Sequence, residues 1–124
     1  MRITALRATP LALRFKEPYH WAGRVDYGAV NLLVEVETDE EISGYGETVA
    51  ARPAGIALTA LEGVGPLLHG RSPFDVERLM HEARFLGGFS HNPRFANLTL
   101  AGLEMALWDV IGKAAGMPVH LGGV

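Results

Sequence analysis

Val30-Asn31-Leu32-Leu33-Val34-Glu35-Val36-Glu37-Thr38-Asp39-Glu40-Glu41-Ile42-Ser43-Gly44-Tyr45-Gly46-Glu47 is the stretch from which the fold follows. Val30, Leu32, Val34 and Val36 alternate with Asn31, Leu33, Glu35 and Glu37. That is the period-two pattern of a strand with one buried face and one wet face. Asp39-Glu40-Glu41 is a tight polar turn, and Ile42 to Glu47 returns as a second strand. Two strands joined by so short a turn run antiparallel. Gly44 and Gly46 place two residues without side chains on one face of the returning strand. Another backbone or a bulky partner can approach closely there.

Upstream, Leu11, Leu13 and Phe15 alternate with Ala12 and Arg14, and Ile3, Ala5 and Arg7 form a similar run before Pro10. One long, kinked first strand is expected. An aromatic loop, Glu17 to Arg24, should separate it from the second strand, which completes a three-stranded antiparallel meander. Downstream the period changes. Ala57, Leu61, Val64 and Leu68 recur at helical spacing, though Gly63, Gly65 and Pro66 weaken the middle. Ser72-Pro73-Phe74-Asp75 reads as a helix start with Ser72 as cap. Val76, Leu79, Met80 and Ala83 form its apolar face, and Gly87-Gly88 stops it. The last helix, with Asn97 as its expected cap, ends at Gly116 before Pro118. Only Thr99, Glu104, Asp109 and Lys113 interrupt its apolar positions. A surface helix shows a stripe rather than a full coat, so part of this helix is expected to lie against structure outside the chain. Asp109 and Lys113 stand in the favourable order for an i,i+4 ion pair. Strands first and helices afterwards is the order of an α+β unit, with a helical bundle of three to four helices after the sheet.

Composition narrows the function. The chain has 124 residues, and 11 Lys and Arg face 14 Asp and Glu with both signs mixed. No basic block suits a nucleic acid. There is no cysteine, which excludes thiolate chemistry and sulfur-based metal sites. The N-terminal residues lack the apolar core of a signal peptide, and Glu104 and Asp109 inside the last helix argue against a membrane span. The expectation is a cytoplasmic protein without a nucleic-acid or membrane partner.

Catalytic motifs are sparse. Ser43, Ser72 and Ser90 have no Gly-x-Ser-x-Gly context, and His20, His69, His81, His91 and His120 fit no zinc spacing. Gly44-x-Gly46 and Gly63-x-Gly65 are incomplete phosphate-loop fingerprints. Two loops hold interest. Tyr19-His20-Trp21 can line a small-molecule pocket, or Trp21 can plug the sheet edge. Arg52 can grip a carboxylate in two-pronged fashion, although a solvated loop arginine is the commoner role. Glu47 at a strand end can act as a base, but a hydrogen bond from a neighbouring loop or helix is the simpler reading.

Three motifs together resemble a known family: Leu33 to Glu47 with its Gly44-Tyr45-Gly46-Glu47 ending, Gly70-Arg71-Ser72-Pro73-Phe74-Asp75-Val76-Glu77, and Ala101-Gly102-Leu103-Glu104-Met105-Ala106-Leu107-Trp108-Asp109 continuing through Gly112-Lys113 to Val119. The chain resembles the N-terminal capping domain of the enolase superfamily, in its mandelate racemase and muconate lactonizing enzyme branch. One departure is Glu41, where the family's turn usually carries glycine. The resemblance implies that residues 1–118 are the capping domain and 119–124 begin the linker to a (β/α) barrel. It implies that the barrel, not this chain, supplies the carboxylate ligands for Mg²⁺ and the acid/base residues. The reaction implied is proton abstraction beside a carboxylate, in a racemase, dehydratase or cycloisomerase. Catalytic residues and cofactor are therefore expected to be none in this chain, and the isolated chain is expected to be inactive. The resemblance places Tyr19, His20, Trp21 and Arg52 on two loops facing a small carboxylate substrate. Apart from the resemblance, a homo-oligomer is expected, because exposed apolar area drives self-association. Two readings compete with the capping domain: a free-standing module that self-associates through its apolar helix, and a small enzyme using Glu47 and His20.

Overall fold

The computed structural model describes residues 1–21, 23–49, 54–89 and 92–116. Three strands come first: β1 (Ile3–Trp21), β2 (Arg24–Thr38) and β3 (Ser43–Val49). Three helices follow: α1 (Ala54–Leu68), α2 (Val76–Leu86) and α3 (Pro93–Ala115). The sheet is antiparallel in the order β1-β2-β3. The α+β meander read from the sequence is therefore the observed fold.

The alternation in β2 decides which face is inside. Leu32, Val34 and Val36 are fully buried against the helices. Their partners in β3 are Thr48, Gly46 and Gly44, and their partners in β1 are Pro10, Ala8 and Leu6. The opposite face is wet and laced by polar pairs: Arg7 with Glu37 at 2.8 Å and the Tyr45 hydroxyl donating to Glu35 at 3.3 Å.

The two β3 glycines answer to α3. A Cβ on Gly44 would collide with the Ala106 carbonyl, and one on Gly46 would collide with the Gly102 carbonyl. Gly102 in turn has no room for a side chain beside the Thr48 hydroxyl. Thr48 Oγ1 accepts from the Gly102 N–H at 2.8 Å and donates to the Thr99 carbonyl at 3.1 Å. Helix and strand thus touch backbone to backbone, sealed by one buried hydroxyl. The register runs antiparallel: Thr48 beside Gly102, Gly46 beside Gly102 and Ala106, Gly44 beside Ala106 and Val110.

Most of the apolar coat of α3 is used within the chain. Ala96, Thr99, Leu100, Gly102, Leu103, Ala106, Leu107, Val110 and Gly112 are buried. Leu98, Ala101 and Met105 remain outward. The helix packs on β3, β2, α2 and α1, so the chain itself supplies partners on several faces.

Local details correct the sequence reading at four points. The expected loop Glu17–Arg24 is the end of a hairpin, because Tyr19, His20 and Trp21 pair with Asp26, Val25 and Arg24. Helix α2 begins at Val76 rather than at Pro73. Ser72 holds a turn instead, its hydroxyl accepting from the Phe74 N–H, while Asp75 caps without a side-chain bond. The cap of α3 is Asn92, which accepts from the Phe95 N–H at 3.0 Å ahead of Pro93. Asn97 lies inside the helix and accepts from Arg84 at 2.8 Å. The expected glycine stops do appear, with Gly88 and Gly116 at positive φ.

Glu41 adopts φ 59°, the left-handed region, so the turn keeps its shape and the side chain bears the strain. That strain costs about 1–2 kcal/mol. Glu41→Gly should relieve it, less about 0.5–1 kcal/mol of added backbone freedom when unfolded. A net gain of roughly 0.5–1 kcal/mol in denaturant unfolding is expected. Gly46→Ala, which meets backbone rather than a yielding side chain, should cost about 3 kcal/mol or more by the same measurement.

Arg71 joins the α1–α2 connection to α2 through a two-pronged pair with Glu82. The connection is also bonded to the start of β1, with Ile3 N–H donating to the Arg71 carbonyl and Gly70 N–H to the Ile3 carbonyl, both at 2.8 Å. The hydrogen bond from Arg71 holds the Glu82 carboxyl below its ordinary range. A depressed folded value means stability that is present above the unfolded value and is lost as pH falls through the folded one. Stability should therefore fall more steeply between about pH 5 and pH 3 in the parent than in Glu82→Gln, followed by urea unfolding across that range.

Candidate functional site

β3 pairs with β2 only over Asn31 to Glu37. Beyond Asn31, among the described residues, only the β1–β2 hairpin continues, to its tip at Trp21 and Arg24. Seven residues at about 3.3 Å each make an arm of roughly 23 Å without a third strand. The register shifts between Arg14 and Tyr19, where β1 carries three more residues than β2 needs. A bulge of this kind twists and re-aims the strand beyond it. Gly23, at φ 76°, supplies the left-handed residue of the two-residue connection.

Tyr19, His20 and Trp21 all stand at this tip, which brings three of the four candidate residues to one place. The His20 side chain is exposed; the side chains of Tyr19 and Trp21 lie outside what the structure describes, as does Arg52 altogether. Residues 50–53, between β3 and α1 in the sequence, lie outside the described residues as well.

At the base of the arm Val49 is 62% exposed and Val30 39%; Leu98 of α3 is 41% exposed. Val49 pairs with Asn31, next to Val30. Thr48 binds the Thr99 carbonyl, which puts Leu98 beside the same strand end. Val30 was read from its alternation as part of the buried face. It is instead exposed, and the described pairing of β3 ends one residue short of it, at Asn31. The shortness of β3 relative to the hairpin was the signal for this surface.

Glu47 is exposed and accepts from the Asn31 side chain at 2.7 Å. Its partner is thus a neighbouring strand, not a loop or helix. Glu47 lies opposite Leu33 and His20 opposite Val25. Eight residues of β2 separate those positions, about 26 Å. The two groups cannot share a substrate, which removes the reading of a small enzyme built on them. Among the described residues, no three His, Asp or Glu side chains gather as a metal site, and no helix is long and apolar enough to cross a membrane.

This architecture is shared with known proteins. The chain is 41% identical over 96 residues to a D-galactonate dehydratase family member of Catenulispora acidiphila, covering 74% of this chain and 22% of that protein. A member of the enolase superfamily from a Polaromonas species superposes with a TM-score of 0.80 at 31% identity, over 93% of this chain and 31% of the other. A dipeptide epimerase from Enterococcus faecalis, complexed with Mg and the dipeptide L-Leu-L-Tyr, shares the fold with a TM-score of 0.83 at 24% identity, over 98% of this chain and 34% of that one. The chain spans about a quarter of the length of the curated relatives it matches. Residues 3–121 match the family model of the mandelate racemase / muconate lactonizing enzyme N-terminal domain, and the chain belongs to that family.

Proposed function

We propose that this domain is the lid of a Mg²⁺-dependent enzyme acting beside a substrate carboxylate. The observation that carries the reading is the arm. A two-stranded ribbon is marginal in water on its own, and exposed Val30 and Val49 stand where this one leaves the three-stranded sheet. A surface of this kind fits a neighbouring body that covers the apolar base and is overhung by the tip. In the proposal that body is a (β/α) barrel following residue 118, whose strand ends hold the reaction.

Within that enzyme the barrel supplies the ion and the proton-transfer groups. Mg²⁺ stabilises negative charge on the substrate carboxylate when bound. Tyr19, His20 and Trp21 bound the pocket from the arm, and Arg52 does so from the segment after β3. They exclude water and select the substrate, which strengthens electrostatics inside. The names of the relatives favour sugar-acid dehydration among the reactions of the superfamily. A small carboxylate is the substrate class.

In the full-length enzyme, His20→Ala and Trp21→Ala should change kcat/KM by tenfold or more across a panel of sugar acids. Their melting temperatures should stay within about 2 °C of the parent, as for surface changes. Equal, substrate-independent losses with a lowered melting temperature would assign these residues to structure instead.

A further inference from the structure

We infer that Asp109 and Lys113 lock the free edge of β3 against strand addition by a second copy of the chain. β3 is an outer strand. An outer strand presents alternate N–H and C=O groups that a passing strand can pair with. Here α3 occupies two of them. Asp109 Oδ2 accepts from the Tyr45 N–H at 2.9 Å, and Lys113 Nζ donates to the Ser43 carbonyl at 2.7 Å. The carboxylate and ammonium also pair with each other at 2.9 Å. The ammonium lies 4.7 Å from the centre of the Tyr45 ring, a cation–π distance that adds to its hold.

The fit is geometric. Groups two residues apart on a strand are about 6.8 Å apart. Residues four apart on a helix rise about 6 Å. With α3 running antiparallel to β3, one i,i+4 pair meets two successive edge groups. The ion pair would add only ~0.3 kcal/mol as a surface pair, so its value here lies in what it covers. The opposite edge is blunted differently. Pro10 stands in β1 opposite Leu32 and has no N–H to offer, and α1 lies along that strand.

A second copy is the species excluded. β3 carries a single charge, Glu47, among its seven residues. A two-fold pairing about Tyr45 would match each outward group with its own counterpart, with like charges too few to oppose it.

The test compares the parent with Asp109→Ala/Lys113→Ala and with the same pair plus Tyr45→Pro. The Tyr45 N–H points away from β2, so proline there removes the edge donor without breaking the β2 ladder. Amide exchange at Tyr45 should be slow in the parent and at least tenfold faster in the double variant, with Gly46 unchanged. Sedimentation should show the double variant in a larger assembly than the parent, and the added proline should abolish the increase. Lys113→Met keeps the aliphatic stem and should show the same trend more weakly, which keeps the inference testable if the double variant does not fold. Fast Tyr45 exchange in the parent would overturn the inference. So would assembly no larger than the parent's, or a larger assembly that survives Tyr45→Pro.

Discussion

The contact between Gly44 and Gly46 of β3 and the Gly102–Ala106 turn of α3 is the constraint on which the rest of the domain rests. Backbone meets backbone there, and any Cβ on the three glycines would fall on carbonyl oxygens or on the Thr48 hydroxyl. That closeness brings the buried face of α3 down onto Val34 and Val36. It lets Thr48 reach the Gly102 N–H, and it carries Asp109 and Lys113 to the strand's outer side. The conformational freedom of glycine is not what is used at these positions. Its lack of a side chain is.

The wet face of the sheet and the arm follow different rules. Over the core, β2 is flanked on both sides and its alternation is strict. Past Asn31, among the described residues, two strands continue, with the register shift inside them. Close backbone packing is thus concentrated at the β3–α3 seam, and lower local stability is expected toward the tip. The candidate residues Tyr19, His20 and Trp21 stand at that end.

Much of this was legible in the sequence. The alternation of Val30 to Glu37 located β2, and Gly44 and Gly46 announced a close approach. Val76, Leu79 and Ala83 gave the buried face of α2, and the Asp109–Lys113 spacing gave the ion pair. What was not legible depended on distant partners. Pairing across the hairpin turned an apparent loop into strand, because Tyr19 to Trp21 and Arg24 to Asp26 support one another over a two-residue connection. The α2 and α3 boundaries moved because Ser72 and Asn97 had equally good uses elsewhere. The exposure of Val30 could not be read locally, since it depends on where β3 stops. The role of the Asp109–Lys113 pair at the sheet edge was invisible for the same reason.

The seam between β3 and α3 works as a vernier, two strand residues to each helical turn and a little more. A single insertion in either element would throw every later mark out of step, from Thr48 to Lys113. The hairpin beyond Asn31 engages no such scale. Recombination can therefore lengthen, shorten or graft the arm without disturbing the core, and the tip can diverge while the seam is held.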